Sequence, residues 1–149
     1  MGDREQLLAL SGWFPNANLS NTSKTSEPTD AYNCIAWAVG DSNQWWEPNL
    51  LEYFWPAGAR QDDSIEALKE AYQAVGFSEC ADDEWEESVE KIALYSFDGF
   101  NYEHAAKLIA PELWSSKLGP DIDISHTKEA LEGGIYGQIC CFMKRPIPS

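Results

Sequence analysis

The sequence predicts an α+β fold in which helices come first and an antiparallel sheet follows, all within one domain over residues 1–149. Three observations carry that expectation. In the first half, Ile65, Leu68, Tyr72 and Val75 recur at helical spacing. In the second half, apolar runs are punctuated by turn residues, above all Asp98-Gly99. A hydrophobic fraction of 44% with 13% aromatics in 149 residues is enough for one core and too much for a disordered acidic chain.

Residues 3–10 read as a short N-terminal helix within a leading segment 1–12, and residues 15–30, rich in Asn, Ser, Thr and Pro, as a loop. The good helix formers from Ala31 to Val39 then predict a second helix, with Asp30 as its N-cap and Gly40 as its stop. Trp45-Trp46-Glu47-Pro48 and Tyr53-Phe54-Trp55-Pro56 suit an irregular aromatic wall that either lines a cleft or covers the core. A third helix begins at Asp63 or Ser64 and stops at Gly76. The seven acids between Glu79 and Glu90 read as a solvated face or loop. Lys91–Phe97 and Phe100–Ile109 form a hairpin about Asp98-Gly99, Leu113–Leu118 a third strand and Tyr136–Met143 a fourth, all of one meander. Thr127–Leu131 reads as a short helix closed by Gly133-Gly134.

Charge narrows the partners. With 25 acidic and 10 basic residues, the net charge of −15 disfavours nucleic acid and anionic membrane, and serves either solubility or a basic protein partner. No stretch approaches the roughly 18 apolar residues of a spanning helix, and the start at Met1 lacks a basic segment followed by an apolar run, so a cytoplasmic protein is expected. Cys140 and Cys141 are adjacent in a strand, where alternation sends them to opposite faces, so reduced thiols are expected. The absence of Cys-x-x-Cys and His-x-x-x-His spacings predicts no zinc, and no cofactor is expected.

Cys34 and His104 are the residues with chemistry to offer. A cysteine in the first turn of a helix capped by Asp30 would feel free N–H groups and the macrodipole, both of which stabilise a thiolate. His104, near the start of a strand, would take the thiol proton and return it to a leaving group. Each also fits a plain structural part, Cys34 as a small core residue between apolar neighbours and His104 as a satisfied strand histidine.

The segments Tyr32–Ala38, Lys91–Tyr95, His104–Ala106, Trp114–Gly119, Asp123–His126 and Tyr136-Gly137 together resemble an uncharacterised bacterial domain over about residues 13–146. That domain in turn resembles papain-like cysteine hydrolases of the NlpC type, in which a cysteine opens a helix and a histidine sits on the following antiparallel sheet. The resemblance implies a papain-like core of N-terminal helices on a sheet of four or more strands, with Cys34 as nucleophile and His104 as base. It implies an amide or ester in a peptide, protein or small molecule as substrate, without choosing among peptidase, amidase and transferase. A third residue should orient His104. Asp123 and His126 are preferred over Asp121 and Ser115, although an acid and a histidine at that point equally suit a helix cap. Asn33 is the candidate oxyanion donor, and Trp45, Trp46 and Trp55 are candidates for the substrate wall. The competing expectation is an acidic module, of inhibitor or immunity type, that binds a basic protein without turnover.

Overall fold

The computed structural model describes residues 3–48, 52–118 and 121–147. Met1, Gly2, residues 49–51 of the aromatic stretch and Gly119 of the Trp114–Gly119 segment lie outside the described residues. The order of elements is α1 (Asp3–Ala9), a 3-10 turn (Leu10–Gly12), β1 (Thr22–Ser26), α2 (Cys34–Ala38), α3 (Ile65–Gln73), β2 (Ser78–Cys80), β3 (Val89–Ser96), β4 (Tyr102–Ala110), β5 (Leu113–Lys117), β6 (Asp123–His126), a second 3-10 turn (Lys128–Leu131) and β7 (Gln138–Pro146). The fold is α+β, with few helices and one seven-stranded antiparallel sheet ordered β1-β6-β5-β4-β3-β7-β2.

Both faces of the sheet are covered, which is why β3 reads as an apolar run without alternation: Ile92, Ala93, Leu94 and Tyr95 are all fully buried. One face carries Ala93, Tyr95, Ala106, Trp114 and Ile124, packed under Leu7, Leu10, Phe14 and Leu131. The other carries Ile92, Leu94, Ala105 and Met143, packed under Ile35 and Ala36 of α2 and Leu68 and Tyr72 of α3. The two helices are tied together by the Tyr72 hydroxyl, which donates to the Ile35 carbonyl at 2.9 Å. Ser64 caps α3, its Oγ accepting from the Ala67 N–H at 3.0 Å, and Gly76 beyond the helix end adopts φ +101°.

Four sequence expectations need correction. The second helix is shorter than residues 31–39, and Asn33, not Asp30, caps it, because Tyr32 is held away by a bond to Asp123 and the chain turns helical only at Cys34. Within the loop predicted for residues 15–30, Thr22–Ser26 forms a strand on β6; Ser and Thr carry no apolar period, and only the pairing partner reveals it. Asp123–His126 is itself a strand and not a helix cap. The fourth strand of the expected meander does not follow its third: β6 lies there, and β7 returns to the opposite side of β3. The acidic run is also less free than its composition suggests. Asp82 and Glu86 each reach the buried Lys91 ammonium at 2.7 Å, and Glu79 sits in β2.

Candidate active site

Cys34 is the first residue of α2, a helix of five residues, so a macrodipole can contribute little to its thiol. The Asn33 side chain starts that helix and anchors the next loop. Its Oδ1 accepts from the amides of Ala36 and Trp46, both at 3.1 Å, while its Nδ2 donates to the Trp46 carbonyl at 2.7 Å. Those bonds make Asn33 a structural cap, a correction to its expected part as an oxyanion donor. Burial is the largest influence on the Cys34 thiol and raises it from 9.0 to about 11. The amides of Ala105, Ile35 and Cys34 itself pull the other way, and the field of Glu47 adds to the rise. The expectation of a thiol depressed by its helix is not met: Cys34 is part-buried at the wall of a cavity, burial raises its thiol, and the donors around it offset only part of that rise.

His104 is fully buried on β4. Its partner in β3 is Tyr95, whose ring meets the imidazole edge-on at 5.3 Å, and Tyr136 lies parallel over the other side with centroids 4.1 Å apart and planes at 4°. The β4–β5 ladder runs from Ala110–Leu113 to Lys107–Ser115, and beyond it the strands are joined by side chains. Ser116 Oγ lies 2.8 Å from His104 Nε2 and 2.7 Å from His126 Nε2, and His126 Nδ1 lies 2.7 Å from the Thr127 carbonyl.

The protons in this chain have one consistent order. A carbonyl can only accept, so His126 Nδ1 carries its hydrogen and its Nε2 is the acceptor. Ser116 must then donate to His126 and accept from His104, which places the His104 hydrogen on Nε2 and the lone pair on Nδ1. That Nδ1 is buried and has no hydrogen-bond partner among the described residues. Both rings are kept neutral: burial takes His104 well below its ordinary 6.5, with a smaller push from His126, and burial takes His126 down to about 4.

Not every residue expected at the site is assembled there. No hydrogen bond joins Cys34 to His104. The imidazole projects on the face of Tyr95 and Ala106, whereas the sulfur meets the strand from the α2 side, at the amide of Ala105, the residue that follows His104. His126 is linked to His104 through Ser116, which the sequence reading passed over while naming Ser115 as a candidate; Ser115 instead accepts from the indole N–H of Trp37 at 3.0 Å. Asp123 is turned to the α2 face, where it accepts from the Tyr32 hydroxyl at 2.7 Å, so it does not orient His104. Asp121 has no contact with His104 either; its carbonyl accepts from Lys117.

Beside Cys34 lies a cavity of about 500 Å³ whose walls include Trp45, Glu47, Asp63, Tyr102 and Glu103. Trp45 thus lines it, as expected of a substrate wall. Trp46 does not: it is buried in the core, with its indole donating to Asp41 at 2.9 Å. Trp55 stands behind the wall, stacked on Tyr102 at 6.3 Å. All four cysteines are free, and among the described residues no three His, Cys, Asp or Glu side chains converge as metal ligands. Among the described residues no helix is long and apolar enough to cross a membrane.

A family model described as a domain of unknown function, DUF7689, matches residues 23–144. No curated protein and no solved structure matches the chain.

Proposed function

This chain belongs to the DUF7689 family, and we propose that it is a thiol-dependent hydrolase or transferase acting on an amide or ester bond in a papain-like arrangement. One observation carries the reading: Cys34 opens α2 at the wall of a cavity of about 500 Å³, with the amides of Ala105, Ile35 and Cys34 itself at its thiol. His104, on the other face of the sheet, is not placed to take the thiol proton, which corrects its expected part as base.

In the reaction, Cys34 Sγ attacks the substrate carbonyl carbon as its proton passes to a water of the adjoining cavity, and the amides of Cys34 and Ile35 face the developing oxyanion. Collapse of that intermediate breaks the bond to the amine or alcohol, which leaves with the proton returned by that water. Water, or an acceptor nucleophile in a transferase, then attacks the thioester and frees the thiol. Because the resting thiol is neutral, proton transfer accompanies attack.

The test uses 4-nitrophenyl acetate as acyl donor, with mass spectrometry of the Cys34 peptide. The reading expects an acetyl thioester on Cys34, formed faster than on a small free thiol, and none in Cys34→Ala at unchanged circular dichroism. A folded wild type with no adduct at Cys34, or one formed no faster than on the free thiol, would refute it. A second reading, an acidic module that binds a basic protein without turnover, is favoured by the raised thiol and the charge of −15. It expects no adduct at all.

A further inference from the structure

Three of the four cysteines, Cys80, Cys140 and Cys141, line one cavity of about 570 Å³ where β2 pairs with β7, and it shares no lining residue with the cavity at Cys34. Adjacent residues of a regular strand point to opposite faces, which would keep Cys140 and Cys141 apart. β7 is not regular there. Cys141 pairs with Leu94 and Ile139 with Tyr95, so Cys140 is an extra residue with no partner in β3, a bulge that re-aims its side chain. Leu94 and Cys141 belong to the α3 face of the sheet, and Tyr95 and Ile139 to the opposite one. Cys140 lies with Cys141. Burial raises both thiols, Cys141 to about 12, but the ammonium of Lys69 on α3 opposes the rise at each, and Cys140 acts on Cys141. The two S–H groups have only long bonds to give up, Cys140 to the Leu94 carbonyl at 3.4 Å and Cys141 to the Glu79 carboxylate at 3.5 Å.

We propose that Cys140 and Cys141 bind a soft monovalent cation, Cu(I), between their sulfurs. Ligand number and softness select it. Zinc calls for a fuller set of ligands, and among the described residues no three His, Cys, Asp or Glu side chains converge; calcium and magnesium take oxygen. Thiolates prefer Cu(I), which two of them suffice to hold. On binding, each thiol gives its proton to solvent, and two S–H bonds are exchanged for two Cu–S bonds. The resulting pair of thiolates and ion carries one negative charge, which the nearby Lys69 ammonium offsets. Because burial keeps both thiols protonated at neutral pH, they are poor nucleophiles toward oxidants and alkylating agents, and the site answers to an ion that displaces the proton. It is separate from the chemistry read at Cys34.

Cu(I), supplied without oxygen as its acetonitrile complex, is titrated into the intact protein against bicinchoninate, whose coloured Cu(I) complex reports the ion withdrawn. The proposal expects a single ion per chain, sulfur as the only ligand element in X-ray absorption of the loaded protein, and binding weakened by about tenfold or more in Cys140→Ser and in Cys141→Ser at unchanged circular dichroism. Cys80→Ser, which alters the wall and not a ligand, should stay within about twofold of wild type. Cys140 is exposed, so its serine variant decides the matter even if the part-buried Cys141→Ser does not fold. No withdrawal from bicinchoninate, binding that survives Cys140→Ser, equal loss in Cys80→Ser or Cys34→Ala, or nitrogen or oxygen in the ligand shell would overturn the proposal.

Discussion

Ser116 Oγ stands 2.8 Å from Nε2 of His104, and among the described residues no other side chain holds that ring by a hydrogen bond. Removing the hydroxyl strands two buried imidazole nitrogens at once, because His126 Nε2 shares it. Ser116→Ala should therefore cost about 2 kcal/mol in urea unfolding, more than loss of one neutral bond to solvent. It should also free the His104 tautomer, which nitrogen NMR of the ring reads. A variant as stable as wild type would show that the serine is not the link between the rings.

Acid should weaken the fold before the carboxylates protonate. Both histidines are depressed, His126 to about 4, so between their ordinary 6.5 and that value the unfolded chain binds more protons than the folded one. Stability from this source is fully present above about pH 6.5 and is lost as pH falls, by about 1.4 kcal/mol per unit for each ring. Urea midpoints measured from about pH 7 to about pH 5 should decline, and the decline should be shallower in His126→Gln. A flat profile would mean that the relay is protonated in the native state.

α1, α3 and the β3–β4 hairpin are legible from local pattern, because helical spacing and Asp-Gly turn chemistry are written in adjacent residues. Asp98 illustrates it: its Oδ1 accepts from the amides of Phe100 and Asn101 while Gly99 takes φ +83°. What was not legible depends on register and on partners remote in sequence. Ser115 and Ser116 are equivalent on paper, and only pairing across β4 and β6 sends one to Trp37 and the other to the histidines. β1 escapes notice for the same reason. Trp46 and Trp55 read like wall residues because aromatic content does not say which side of a loop faces the core.

Gly137 lets the sheet and the Tyr136 loop meet. A Cβ there would stand 2.2 Å from the Ser96 carbonyl oxygen, and its φ is +75°. Gly137→Ala should lose about 3 kcal/mol, since neither the backbone contact nor the left-handed conformation can be relieved by a rotamer change. Tyr136, the adjacent residue, would shift from its stack on His104, so aromatic-region NMR should report displaced Tyr136 resonances. Wild-type stability in this variant would show that the loop can yield without cost.

Asn33 and Asp30 compete as the start of α2, and they are separable. Asp30 shows no capping bond to α2, whereas Asn33 satisfies the amide of Ala36 and both backbone groups of Trp46, thereby fixing the first turn and the loop that carries Trp45. Loss of an N-cap alone costs about 1 kcal/mol, and the stranded Trp46 groups add to it. Asn33→Ala should thus be destabilised by about 2 kcal/mol or more, with altered tryptophan emission, while Asp30→Ala stays within about 0.5 kcal/mol of wild type. Asn33→Asp should keep the two bonds to Oδ1 and lose the donor to Trp46, and so fall between them. If Asp30→Ala were the costlier change, α2 would begin three residues earlier in solution, and Cys34 would no longer be its first residue.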